Sequence, residues 1–111
     1  MYARIARFEG LDVTRVDEEV AEMKRQIDEG RASGEVPAGA PESVRTLMET
    51  VTRVLQLVDR GTGTALGITF CANQEDMRRA DAALSEMSPG EGAGHRASVE
   101  IYEILLDETF R

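Results

Sequence analysis

Apolar and charged residues are interleaved along Tyr2 to Phe8 (YARIARF), and Gly10 follows to release the chain into a turn. This pattern predicts a first strand. At Val16 the period changes: Val16, Val20, Met23 and Ile27 recur at i, i+4, i+7 and i+11, which places them on one face of a helix. Asp12 or Thr14 is placed to accept the free amide hydrogens at its start. Asp17, Glu18 and Glu19 lie near the positive end of its dipole, and Gly30 offers a left-handed stop. Arg31 to Pro41 (RASGEVPAGAP) is small, polar and twice interrupted by proline, so a mobile loop is expected there. Glu42 to Glu49 places Val44, Leu47 and Met48 at helical spacing and predicts a short helix.

The second half of the chain returns to strand patterning. Thr52 to Asp59 (TRVLQLVD) and Thr64 to Cys71 (TALGITFC) are rich in β-formers, and the glycine-bearing Arg60 to Gly63 joins them as a hairpin. Asn73 then offers a side-chain oxygen to the amide of Asp76, opening a helix with Met77, Ala80, Leu84 and Met87 on one stripe. Pro89 ends that helix, Gly90 to Gly94 is a glycine-rich connection, and Ser98 to Leu106 (SVEIYEILL) predicts the last strand. The order β-α-β-β-α-β, with a short extra helix before the second strand, gives an α+β, ferredoxin-like arrangement. Four antiparallel strands then carry two main helices on one face, in a single domain spanning residues 1–111.

In such a two-layer fold the sheet face away from the helices is expected to be polar. Here both alternation sets carry apolar groups: Leu55 and Leu57 oppose Val54 and Val58, Ile68 and Phe70 oppose Ala65 and Cys71, and Val99 and Ile101 oppose Tyr102 and Ile104. Both faces need cover, and self-association through the sheets as a two-fold homodimer supplies it.

Charge and composition narrow the chemistry. Thirteen Lys and Arg against twenty-one Asp and Glu leave a net charge of −8, which opposes nucleic-acid phosphates and anionic membrane surfaces. The single cysteine, Cys71, excludes an internal disulfide and a paired-cysteine zinc site. Met1 to Phe8 lacks the apolar core of a signal peptide, and no apolar run reaches the roughly 20 residues of a membrane span. A soluble, cytoplasmic protein is expected, with no metal, no cofactor, no nucleic-acid partner and no membrane partner. The run Arg60 to Gly67 (RGTGTALG) joins two strands instead of opening a helix, so its glycines do not form a phosphate loop.

The stretch Leu55 to Met77 (LQLVDRGTGTALGITFCANQEDM), with Met1 to Phe8 ahead of it and Val99 to Leu106 behind, resembles the dimeric α/β-barrel proteins of the antibiotic biosynthesis monooxygenase superfamily. Its most telling piece is a hydrophobic strand ending in Val58-Asp59-Arg60, a Thr-Gly turn, a second strand and an acidic helix start at Glu75-Asp76. The resemblance implies two ferredoxin-like sheets paired into a dimeric α/β barrel, in agreement with the two-faced apolar pattern. Activities in that family range from cofactor-independent, quinone-forming monooxygenases to haem degraders. Several active members carry tryptophan at the end of the third strand; the matching residue here is Cys71, and the chain contains no tryptophan. The haem-degrading branch uses a histidine from the second helix, whereas the single histidine here, His95, falls in the glycine-rich connection. Weak or no quinol oxidation and no haem ligation are therefore expected.

Among individual residues, Cys71 is read as a buried small hydrophobe, because a nucleophilic thiolate needs a base or a positive field. Met23, Met48, Met77 and Met87 are read as packing groups on helical stripes. Arg4 is expected to pair with a carboxylate such as Glu100 on the neighbouring last strand or across the dimer. Should a ligand site exist, it is expected between sheet and helices, near the ends of the first, third and last strands. Arg4, Thr69, Cys71 and Tyr102 are its candidate lining, Tyr102 being favoured over His95 because a strand fixes its hydroxyl. The expected function is binding of a small planar or anionic metabolite by a homodimer. The alternatives are a cofactor-independent monooxygenase acting on an aromatic or quinol-like compound, and a purely structural or protein-interaction dimer.

Overall fold

A computed structural model describes residues 1–34, 39–87 and 94–111. It contains β1 (Tyr2–Glu9), α1 (Val16–Ser33), α2 (Glu42–Thr50), β2 (Val51–Asp59), β3 (Thr64–Cys71), α3 (Gln74–Glu86) and β4 (His95–Glu103). The strands form one antiparallel sheet in the order β2-β3-β1-β4. This α+β arrangement is compatible with the ferredoxin-like expectation. The sequence-adjacent β2 and β3 pair directly through the Asp59 to Gly63 turn, where Gly63 takes a positive φ and its amide donates to the Asp59 carbonyl at 3.0 Å. Each remaining neighbour of β1 is reached by a crossover.

Register assigns every strand residue to a face, because directly opposed residues in an antiparallel pair project to the same side. Tyr2, Arg4, Ala6 and Phe8 of β1 stand opposite Cys71, Thr69, Gly67 and Ala65 of β3. Arg4 and Ala6 also stand opposite Ile101 and Val99 of β4. This is the helix side, since Tyr2 and Val51 pack with the buried cluster of Cys71, Met77 and Ala80. The opposite side presents Ile5, Leu55, Leu57, Leu66, Ile68 and Phe70.

The helix layer is supplied by α3, with α2 packed alongside it. Asn73 opens α3 as expected: its Oδ1 accepts from the Asp76 amide at 2.8 Å. Glu86 is its last residue, and Arg96 of β4 closes it by donating to the carbonyls of Leu84 and Met87. The expected Pro89 stop and most of the Gly90 to Gly94 connection lie in residues 88–93, outside the described residues.

Several expectations are corrected. Helix α1 runs past Gly30 to Ser33 and is closed by Gly34, whose φ of 66° supplies the left-handed stop. The expected loop Arg31 to Pro41 therefore begins inside a helix, and its residues 35–38 lie outside the described residues. Asp12 does not cap α1. Its Oδ1 accepts from the amide and hydroxyl of Thr14 in the turn before the helix, and the cap position falls to Arg15, whose side chain caps none of the helix amides. The apolar stripe of α1 is not core: only Val16 is buried, while Met23 is 48% and Ile27 38% exposed. Pairs such as Lys24 with Asp28 and Arg25 with Glu29 lace its solvated surface. Met48 and Met87 are likewise exposed, so Met77 is the buried one of the four methionines assigned to packing. Strand β4 starts at His95, which places this residue on the strand instead of in the connection, with its Nε2 3.7 Å from Glu9 Oε2. The strand ends at Glu103, yet the Ile104 amide still donates to the Met1 carbonyl at 2.9 Å.

Candidate functional site

Three of the four candidate residues lie together. Arg4, Thr69 and Cys71 all project from the helix side of the central strands, Arg4 directly opposite Thr69 and Cys71 one helix-side position further along β3. All three are buried. Tyr102 is separated from them by the sheet itself, because it stands opposite Ala3 and not opposite Arg4. It is half-exposed on the open face, where its hydroxyl donates to a Glu100 carboxylate oxygen. A single site containing all four residues is therefore not what the fold builds. Strand parity is the reason, since 102 and 101 fall on opposite faces of β4.

The partner of Arg4 is also different from the expected Glu100, which points to the open face. Arg4 Nε donates to Asp81 Oδ1 of α3 at 2.8 Å, joining the centre of the sheet to the helix above it. Asp81 escaped the sequence reading. The available signal was its position four residues after the core Met77 and one after Ala80, at the margin of the apolar stripe of α3. Arg4 is only 3% exposed, and its Nη2 is buried with no hydrogen-bond partner.

Cys71 lies at the end of β3 beneath α3, fully buried against Met77 and Ala80. Burial, and secondarily the Asp76 carboxylate, push its thiol above the ordinary cysteine value. This environment disfavours the thiolate, as the small-hydrophobe reading requires. Nearby, the Tyr2 hydroxyl donates to Glu103 at 3.3 Å, and burial together with that carboxylate raises the phenol above its usual range.

On the open side, the Arg53 guanidinium stacks over the Phe70 ring at 5.4 Å from its centre. Near the hairpin the same side forms a shallow depression of about 350 Å3, lined by Arg7, Leu57, Thr64 and Leu66 among others. Among the described residues no cluster of His, Cys, Asp and Glu is arranged to hold a metal ion, and no helix is long and apolar enough to cross a membrane. No protein-family model, no curated protein and no solved structure matches the chain, which leaves these residues as the ground for any functional reading.

Proposed function

We propose that the chain works as a homodimer whose sheets face each other in the manner of the dimeric α/β-barrel proteins of the antibiotic biosynthesis monooxygenase superfamily, and that it binds a small planar or anionic metabolite. The observation that carries the assembly is the sheet side opposite α3, where Ile5, Leu55, Leu57, Leu66, Ile68 and Phe70 form a continuous apolar surface over which no helix or strand of the described residues packs. A second copy suits this surface electrostatically. The chain carries a net charge of −8, but the open side mixes Arg7 and Arg53 with Glu100, and with Glu9 and Asp59 towards the hairpin, so two such faces do not repel as two whole chains would.

Metabolite binding is supported by the buried guanidinium of Arg4, which keeps one nitrogen without a partner beside its Asp81 contact, a setting in which a cation recognises a negatively charged group strongly. Turnover is not part of the proposal: the one thiol is buried with its thiolate disfavoured, and Tyr102 stands on the other side of the sheet from Arg4. A cytoplasmic setting belongs to the same proposal.

Sedimentation equilibrium tests the assembly. The expected mass is twice 12.2 kDa at micromolar concentration, from an interface burying on the order of 1,600 Å2. A monomer mass overturns it. Screening a panel of small aromatic and aliphatic acids and their neutral analogues by ligand-observed NMR tests the binding half separately.

A further inference from the structure

The guanidinium of Arg4 is incompletely satisfied. Its Nε is engaged by Asp81, whereas Nη2 is buried without a partner. A buried charged donor left bare costs more than a neutral one. Native folds leave few such groups, and each calls for a physical reason. The reason here is suggested by where the helix layer stops. Among the described residues α3 lies over β1 and β3, whereas the middle of β4 stays partly open on the helix side, where Val99 is 38% and Ile101 43% exposed. Ile101 stands directly opposite Arg4 across the β1–β4 pair, and Thr69 stands opposite it across the β1–β3 pair. Arg4 thus stands in a helix-side row with a buried hydroxyl-bearing residue on one side and an open apolar ledge on the other.

We propose that this ledge is a binding site for a monocarboxylate with an apolar body. One carboxylate oxygen accepts from Arg4 Nη2, and the hydrocarbon covers Val99 and Ile101. The site favours a single negative charge. Asp81 already occupies one side of the guanidinium, so a dianion would meet the Asp81 carboxylate across a cation it has largely neutralised, on a chain that is already strongly acidic. The apolar ledge disfavours a small inorganic anion for a second reason, because it offers such an ion no hydrogen bonds to replace its water. This inference rests on the metabolite-binding reading and names its ligand class and place.

The experiment titrates the full chain with benzoate, benzamide and inorganic phosphate, following backbone amide resonances and the Arg4 Nε–H signal by NMR. Benzoate is expected to saturate and to shift Arg4, Val99 and Ile101, with benzamide and phosphate at least about tenfold weaker. Arg4→Lys, which keeps the charge but lacks the planar fork, is expected to weaken benzoate by about tenfold or more. Because Arg4 is in the core, Ile101→Glu serves as the surface variant: it is expected to leave the circular dichroism spectrum unchanged and to weaken benzoate comparably. Equal binding of benzoate and benzamide, or benzoate binding unchanged in Ile101→Glu, overturns the site. If benzoate fails but another compound of the small-acid and neutral-analogue panel binds and shifts residues elsewhere, the ledge is wrong and metabolite binding stands. If no compound binds, both fall.

Discussion

Arg4, at the centre of the sheet, and Asp81, on α3, form an ion pair between the buried strand layer and its covering helix: the Arg4 Nε to Asp81 Oδ1 distance is 2.8 Å, with Arg4 almost completely enclosed and Asp81 36% exposed. The asymmetry predicts an asymmetric response. Asp81→Ala leaves a buried guanidinium with neither neighbour and is expected to lower stability by about 2–3 kcal/mol. Glu86→Ala, at an exposed residue of the same helix, measured in the same urea titrations, should lose less. Asp81→Ala within 0.5 kcal/mol of the parent, roughly the scatter of a neutral surface change, contradicts this role.

Leu57→Asp tests the open sheet side. Leu57 is exposed in the single chain, so the monomer should tolerate the aspartate with little change in its own folding. In a sheet-to-sheet dimer the same carboxylate is buried without a partner, and dissociation is expected to rise by two orders of magnitude or more, corresponding to roughly 3–5 kcal/mol. Sedimentation velocity against protein concentration reads the difference. An unchanged dissociation constant would place any dimer contact elsewhere.

Cys71 is expected to resist alkylation. With the thiol buried and its pKa raised by burial and by Asp76, iodoacetamide at pH 8 should modify the native protein far more slowly than the urea-unfolded chain. The linked stability effect runs in the alkaline direction. A thiol whose folded pKa is raised contributes fully below the unfolded value of about 8.5, and that contribution is lost as pH rises through the folded value. Cys71→Ala should flatten this alkaline limb of the stability profile.

Asp17 of α1 and Arg60 of the hairpin turn join two elements through paired contacts of 2.7 and 3.1 Å. The hydrogen bond from Arg60, and then its charge, hold the Asp17 carboxyl below the ordinary aspartate value. A depressed carboxyl contributes above its unfolded pKa of about 3.9 and loses that contribution as pH falls through the folded value. Both side chains are solvent-exposed, so the clear readout is the titration midpoint. In Arg60→Gln, the Asp17 midpoint followed by carboxyl NMR should move up towards about 3.9. An unmoved midpoint would show that the pair does not persist in solution.

The capping residue of α3 offers a local check. Asn73→Ala removes the 2.8 Å acceptor of the Asp76 amide and is expected to lower stability by about 1 kcal/mol, while Asn73→Ser retains most of it. Thermal unfolding of the two variants side by side decides whether this cap acts as its geometry indicates.

What the sequence determined by itself is local. The first strand at Tyr2, the hairpin of β2 and β3, the Asn73 cap, the Met77 and Ala80 stripe and the burial of Cys71 follow from period, turn chemistry and side-chain oxygen placement, and each of these acts over a few residues. The apolar stripe of α1 was equally legible as a period, yet a period states only that a face is apolar. Whether another element lies against that face depends on where both ends of the helix are tied, and in the folded chain Met23 and Ile27 stay open. The candidate site divides for the same reason. Arg4, Thr69 and Tyr102 could be placed on strands from the sequence, but their faces depend on inter-strand register, and a shift by one residue exchanges the sides. Register, the Arg4–Asp81 contact across 77 positions and the partly open flank at Val99 and Ile101 were fixed by the tertiary structure, because each requires segments distant in sequence to meet at one angle and one alignment.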